Sequence, residues 1–164
     1  MAWTTPRTWT TGEVVTKTIM DTHVRDNLNA LASLDFAQIT SDTAAISATT
    51  DATAVDVVAG NAVTYAASPV IIWFSCQDVV ASVASVVATF NLYDDTTDLG
   101  RVANVEIGTS GNMNSISFWH RYTPTAASHT FKIRAWVNTG NIIVKAGAGG
   151  VATIRPAQLR VTPG

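Results

Sequence analysis

Apolar residues in this chain repeat with two different periods, and the change falls near residue 35. From about Thr16 to Ser33, Met20, Val24, Leu28 and Leu31 recur at intervals of four, four and three, the spacing of one face of an α-helix. Thr18 with Asp21 three residues on reads as a capping box, and Asp21 also sets negative charge near the positive end of the helix dipole. Ahead of the helix, residues 1–14 read as an extended or turn-like arm with Trp3, Pro6, Arg7 and Trp9. Such an arm orders only against a partner, because its own burial does not offset the entropy of fixing it.

Past residue 35 the period becomes two. In HTFKIRAWV, Phe131, Ile133, Ala135 and Val137 share one face while Thr130, Lys132, Arg134 and Trp136 share the other. SISFWHRYT does the same with Ile116, Phe118, His120 and Tyr122 against Ser117, Trp119 and Arg121, and PTAASH between the two runs predicts a hairpin. VVATFNLYDD points Val86, Ala88, Phe90 and Leu92 inward before the turn signal DDTTDLG. VIIWFSC, residues 70–76, is apolar on both faces and predicts a strand covered on both sides. Further strands are predicted over residues 53–59, 101–107, 142–146, 151–154 and 158–162. Eight to ten short strands separated by turn signals give an all-β fold, an antiparallel jelly-roll sandwich over residues 35–164, with residues 1–34 as an appended docking or oligomerisation segment.

Composition changes the picture in two ways. Charged residues make up 13% of the 164 positions, against about a quarter in ordinary soluble domains. The wet faces must then be carried by uncharged polar residues, and the 24 threonines suit strands. The net charge of −2 and the scattered Lys and Arg give no electrostatic footprint for nucleic acid. No apolar run reaches the roughly 18 to 20 residues of a membrane-spanning helix. MAWTTPRTWTTG has neither a basic n-region nor an apolar h-region, which points to synthesis and assembly in a cytoplasm.

Chemistry finds few candidates. Cys76 lies within an apolar strand, where a thiol is buried and inert, and as the one cysteine it closes no disulfide within the chain. His23, His120 and His129 share no ligand spacing; His120 reads as a core or interface histidine and His129 as a turn or packing residue. Asp94, Asp95 and Asp98 lack the spacing and glycine of a calcium-binding loop and read as solvated turn residues. KAGAGG, residues 145–150, is not followed by a helix that could present its N-terminus to a phosphate, so it reads as a flexible turn. The reading is of a protein that is not an enzyme and uses no cofactor or metal.

What the pattern leaves over is apolar surface. Trp119 and Trp136 fall on the outer sides of their strands and Trp73 in the doubly apolar run, and a lone sandwich has one interior. Packing of copies flank to flank would cover Trp73, Trp119 and Trp136 as subunit-interface residues, while the stripe Met20, Val24, Leu28 and Leu31 also needs a surface to lie on.

The stretch WTTPRTWTTGEVVTKTIMDTHVRDNLNAL resembles an N-terminal segment of tailed-bacteriophage virion structural proteins, in which a Pro-Arg-x-Trp arm and Gly-Glu-x-Val precede a helix ending in a form of Arg-Asp-Asn-Leu. The matching positions are Pro6, Arg7, Trp9, Gly12, Glu13, Val15, Arg25, Asp26, Asn27 and Leu28. SHTFKIRAWVNTGNIIVKAG with the terminal AQLRVT is similar to the trimeric jelly-roll knobs of tumour-necrosis-factor type found on phage fibres and decorations. The resemblance implies a homotrimeric virion protein whose N-terminus docks to other tail or capsid proteins. A tail or fibre knob contacting the host surface, with a glycan as candidate partner, is the leading version; a capsid decoration protein and a carbohydrate-binding β-sandwich module are the alternatives.

Overall fold

The computed structural model describes residues 8, 10–25, 35–146 and 155–164. Among the described residues, eleven strands follow one short helix in chain order: β1 (Asp35–Gln38), β2 (Val55–Ala59), β3 (Val63–Thr64), β4 (Val70–Ala81), β5 (Val86–Asp94), β6 (Thr97–Ile107), β7 (Met113–Tyr122), β8 (Ser128–His129), β9 (Phe131–Val137), β10 (Ile142–Val144) and β11 (Gln158–Pro163).

Two antiparallel sheets face each other. In the first, β1 pairs with β11, β11 with β4 and β4 with β7. In the second the order is β2, β9, β5, β6. The pairs β1/β11, β2/β9, β4/β7 and β5/β6 are nested, as if one long hairpin had been folded across itself so that successive pairs fall in alternate sheets. That nesting is the jelly roll, and it is present here strand for strand. The small pair β3/β8 and the strand β10, which continues the β11 side of β4 beyond a bulge at Cys76–Val79, are additions to it.

The interior is built by alternation. Phe131, Ile133, Ala135 and Val137 of β9 and Val86, Ala88, Phe90 and Leu92 of β5 are fully buried, as their period predicts. Ile72, Phe74 and Cys76 of β4 and Leu159 and Val161 of β11 meet them from the other sheet. Phe74 lies 6.2 Å from Phe90 across the sandwich, and Tyr122 meets Phe131 edge-on at 5.9 Å. Burying a side chain of this size contributes about 1.5–3 kcal/mol, so this layer is where stability is concentrated.

Three expectations are corrected. The runs around PTAASH form no hairpin: β7 pairs with β4 and β9 with β2 and β5, so the connection crosses from one sheet to the other. Both runs turn their apolar faces to the same interior, and such faces are served as well by opposite sheets as by neighbouring strands. The strand at 70–76 is covered on its inner face only, and its outer residue Trp73 is exposed. The helix is capped by Thr16, whose Oγ1 accepts from the Ile19 N–H at 3.3 Å, in place of a Thr18 capping box.

That helix, α1 (Lys17–Met20), passes into a wider π-turn over Asp21–Arg25, and neither piece buries a residue. Asp21 bonds Lys17 and lies 2.9 Å from Arg25, each four residues away, and the two cations hold its carboxyl below the usual range. The predicted continuation to Ser33, with Leu28 and Leu31, lies outside the described residues, as do Trp3, Pro6, Arg7, Trp9 and the strand predicted at 151–154.

Candidate functional site

The outer faces of the two sheets differ in kind. On the second sheet, Asp51, at the start of the short 3₁₀ turn Asp51–Thr53, accepts from Asn91 Nδ2 and from the Tyr93 hydroxyl, each at 2.9 Å. Asn91 also reaches Asp98 at 3.2 Å, and Arg134 pairs with Asp56 at 3.1 Å, donates to the Ala54 carbonyl and lies 4.8 Å over the Tyr93 ring. Trp136 is half-buried there with the Arg101 guanidinium 5.9 Å from its ring. This face pairs Arg134 with Asp56 and half-covers its own tryptophan.

The first sheet does neither. Its register aligns Phe36 with Arg160, Arg160 with Trp73 and Trp73 with Trp119, so one row runs straight across β1, β11, β4 and β7 on the outer side. Phe36 is 48% exposed, Trp73 45% and Trp119 61%. The two indoles sit with ring centroids 6.4 Å apart. Met113 adds a further exposed apolar side chain on the outer side of β7.

Between the walls formed by Phe36 and Trp73 runs an open groove of about 660 Å³, lined also by Arg160, Gln158, Ser75 and Thr162. Gln158 donates from Nε2 to Ser75 Oγ at 3.0 Å, so part of the groove floor is already hydrogen-bonded. Arg160 and Arg121 are exposed, and neither forms an ion pair among the described residues. The outward positions of β1, β4, β7 and β11 hold no exposed carboxylate. The face is therefore aromatic, basic and unpartnered.

Of the three tryptophans read as interface residues, the structure brings Trp73 and Trp119 together and places Trp136 on the opposite sheet. Sequence reasoning missed Phe36, Met113 and Arg160. Phe36 belongs to a strand of only four residues, DFAQ, too short to show a period. Arg160 had a visible signal, standing between inward Leu159 and Val161 in the last strand.

The remaining candidates are structural. His129 is buried, with Nδ1 2.8 Å from Asp94 Oδ1 and Nε2 3.1 Å from the Thr125 carbonyl oxygen. Asp94 is buried as well and bonded to His129, so it is not the solvated turn residue that the sequence suggested. Asp94, Asp95 and His129 offer ligand atoms within 4.8 Å of one another, but Asp94 and His129 already satisfy each other. Asp98 lies apart, bonded to Asn91 and the Gly100 N–H. Cys76 is buried, and burial pushes its thiol up to about 12. Lys145 pairs with Asp42 at 2.9 Å, and residues 147–150 of the glycine-rich stretch lie outside the described residues.

No protein-family model matches the chain, and no curated protein matches it in sequence. Among solved structures it is similar to that of infectious bursal disease virus, Gt strain, at 12% identity and a TM-score of 0.45, over 79% of this chain and 37% of that one. The VP2 subviral particle of infectious bursal disease virus gives 12% and 0.43 over 79% and 37%. A C-terminal carbohydrate-binding module, CBM6, of LamC from Zobellia galactanivorans gives 10% and 0.36, over 79% and 99%. The chain thus spans little over a third of the viral proteins that it matches. These likenesses are distant, and they assign neither a ligand nor a partner to this chain.

Proposed function

We propose that the chain is a noncatalytic structural protein of a tailed-phage virion, a homotrimeric jelly-roll knob held on the particle by its N-terminal arm and helix and associated with the tail or its fibres. One observation carries the reading. The N-terminal segment leaves its apolar residues Val14, Val15 and Met20 exposed, while the sandwich closes a complete core without them. A helix this short is unstable in water by itself. A segment that marks its helix start with a Thr cap and leaves Val14, Val15 and Met20 exposed is suited to lie on another protein.

The absence of catalysis in this reading is supported by where the reactive groups sit. The Cys76 thiol is enclosed in the core, and the His129 imidazole is occupied on both nitrogens. Neither opens onto a groove with a second reactive group beside it.

The test is incorporation. Particles grown with Met20→Asp and Val24→Asp combined should lack the protein, while the same variant purified alone keeps the melting transition of the wild-type sandwich. Wild-type occupancy of the variant would remove the docking role. The number of copies per particle then separates a tail component, present in a handful, from a capsid decoration present in hundreds.

A further inference from the structure

The exposed large apolar side chains are not spread over the molecule. Among the described residues, Val14, Val15 and Met20 lie in the N-terminal segment, Phe36, Trp73, Met113 and Trp119 lie on the outer face of the first sheet, and Val55 and Val83 fall elsewhere. In the chain the first group precedes β1, the edge strand that supplies Phe36, and the second group shares one sheet face.

We infer that the outer face of β1, β11, β4 and β7 is the surface through which copies of this chain pack, in a closed ring in which each face meets a different surface of the next copy. This rests on the assembly reading above and names the face that assembly uses. The strands of this face hold 4, 6, 12 and 10 residues, and at about 3.3 Å per residue and about 4.8 Å between strands they make a face on the order of 500 Å², the larger part of the roughly 800 Å² that each partner contributes to a stable interface.

Charge decides the symmetry. The face holds Arg121 and Arg160 without an exposed carboxylate, so a twofold packing of the face on itself would set arginines against arginines in a desolvated layer. The chain as a whole is net negative, so its other surfaces supply the acidic groups. Glu106, exposed on the edge strand β6, is one such carboxylate. A head-to-tail contact satisfies the arginines where a face-to-face contact cannot, and a head-to-tail contact that closes gives a ring. Trp73 and Trp119, central, aromatic and adjacent, are the anchors, with Arg160 held between the Phe36 and Trp73 walls.

The measurement is sedimentation equilibrium of the full chain together with Trp119→Lys, Met113→Lys and Val55→Lys. The wild type should have the mass of three chains. Trp119→Lys and Met113→Lys should weaken association at least ~30-fold, as expected for interface anchors, with unchanged circular dichroism and melting of the subunit, since both side chains are already exposed. Val55→Lys, on the other sheet, should stay trimeric. A monomeric wild type at about 100 μM, a dimer, or trimers of Trp119→Lys with wild-type affinity would each overturn the inference, as would a monomer retarded on an acidic-polysaccharide matrix through Trp73. A chain that is trimeric through this face yet never enters particles sinks the virion reading and leaves the interface standing.

Discussion

His129 and Asp94 hold each other inside the sandwich, Nδ1 to Oδ1 at 2.8 Å, where the end of β5 meets β8. Burial works against a charged imidazole here. The bond to Asp94, the Thr125 carbonyl on the other nitrogen and the charges of Asp94 and Asp95 outweigh it, so the pKa of His129 is raised above its ordinary 6.5. A raised folded-state value means that the stabilisation is complete below pH about 6.5 and is lost as pH rises through the folded pKa. The melting temperature should fall between pH 6.5 and 9 in the wild type and be flatter over that range in His129→Gln. A wild-type profile that rises with pH would show that the imidazole is neutral in the fold.

Removing the carboxylate should cost more than removing its charge. Asp94→Ala leaves the His129 imidazole facing a void, and breaking a buried pair in this way costs about 3–5 kcal/mol. Asp94→Asn retains an acceptor and should lose less. Chemical denaturation of the two variants at pH 6 gives the comparison directly, and equal losses would place the stabilisation in the charge alone.

Cys76 points into the core, and its thiol is pushed up to about 12 by burial despite a bond to the Asp78 carbonyl at 3.3 Å. Almost none of it is thiolate at pH 8, so a disulfide reagent should label it only as the protein unfolds. Labelling should follow denaturant concentration along the unfolding curve. Fast labelling of the native chain would mean that the bulge at Cys76–Val79 opens locally.

Gly60 marks a close approach. A Cβ there would collide with Asp35 Oδ2, and Asp35 is the residue that ties β1 to the loop after β2 by accepting from the Asn61 N–H and Nδ2 at 3.0 and 2.9 Å. Gly60→Ala should displace that carboxylate and cost about 1–3 kcal/mol. If the variant melts like the wild type, β1 is not held by Asp35.

Much of the sandwich was legible because its core strands alternate cleanly. The inward sets of β5 and β9 are the residues that the period of two selects, and the last strand begins where AQLRVT suggests. Pairing was not legible. The period of a strand states which side is buried and is silent on its neighbour, so β7 and β9 read as a hairpin although they lie in different sheets. The candidate face was legible only as isolated tryptophans. Its row draws one residue from each of four strands between positions 36 and 160, and only the register places Arg160 between Phe36 and Trp73. Trp136 has the same outward period as Trp119 but meets Arg101 on the other sheet, a difference set by tertiary neighbours.

Whether the N-terminal segment lies on a surface other than its own domain is read most directly from a cryo-electron microscopy reconstruction of the particle that carries the protein. Docking requires three copies grouped about one axis, with residues 11–25 against a neighbouring virion protein and the sandwich projecting outward. Density showing those residues folded back on their own sandwich, with no contact to the particle, would contradict it.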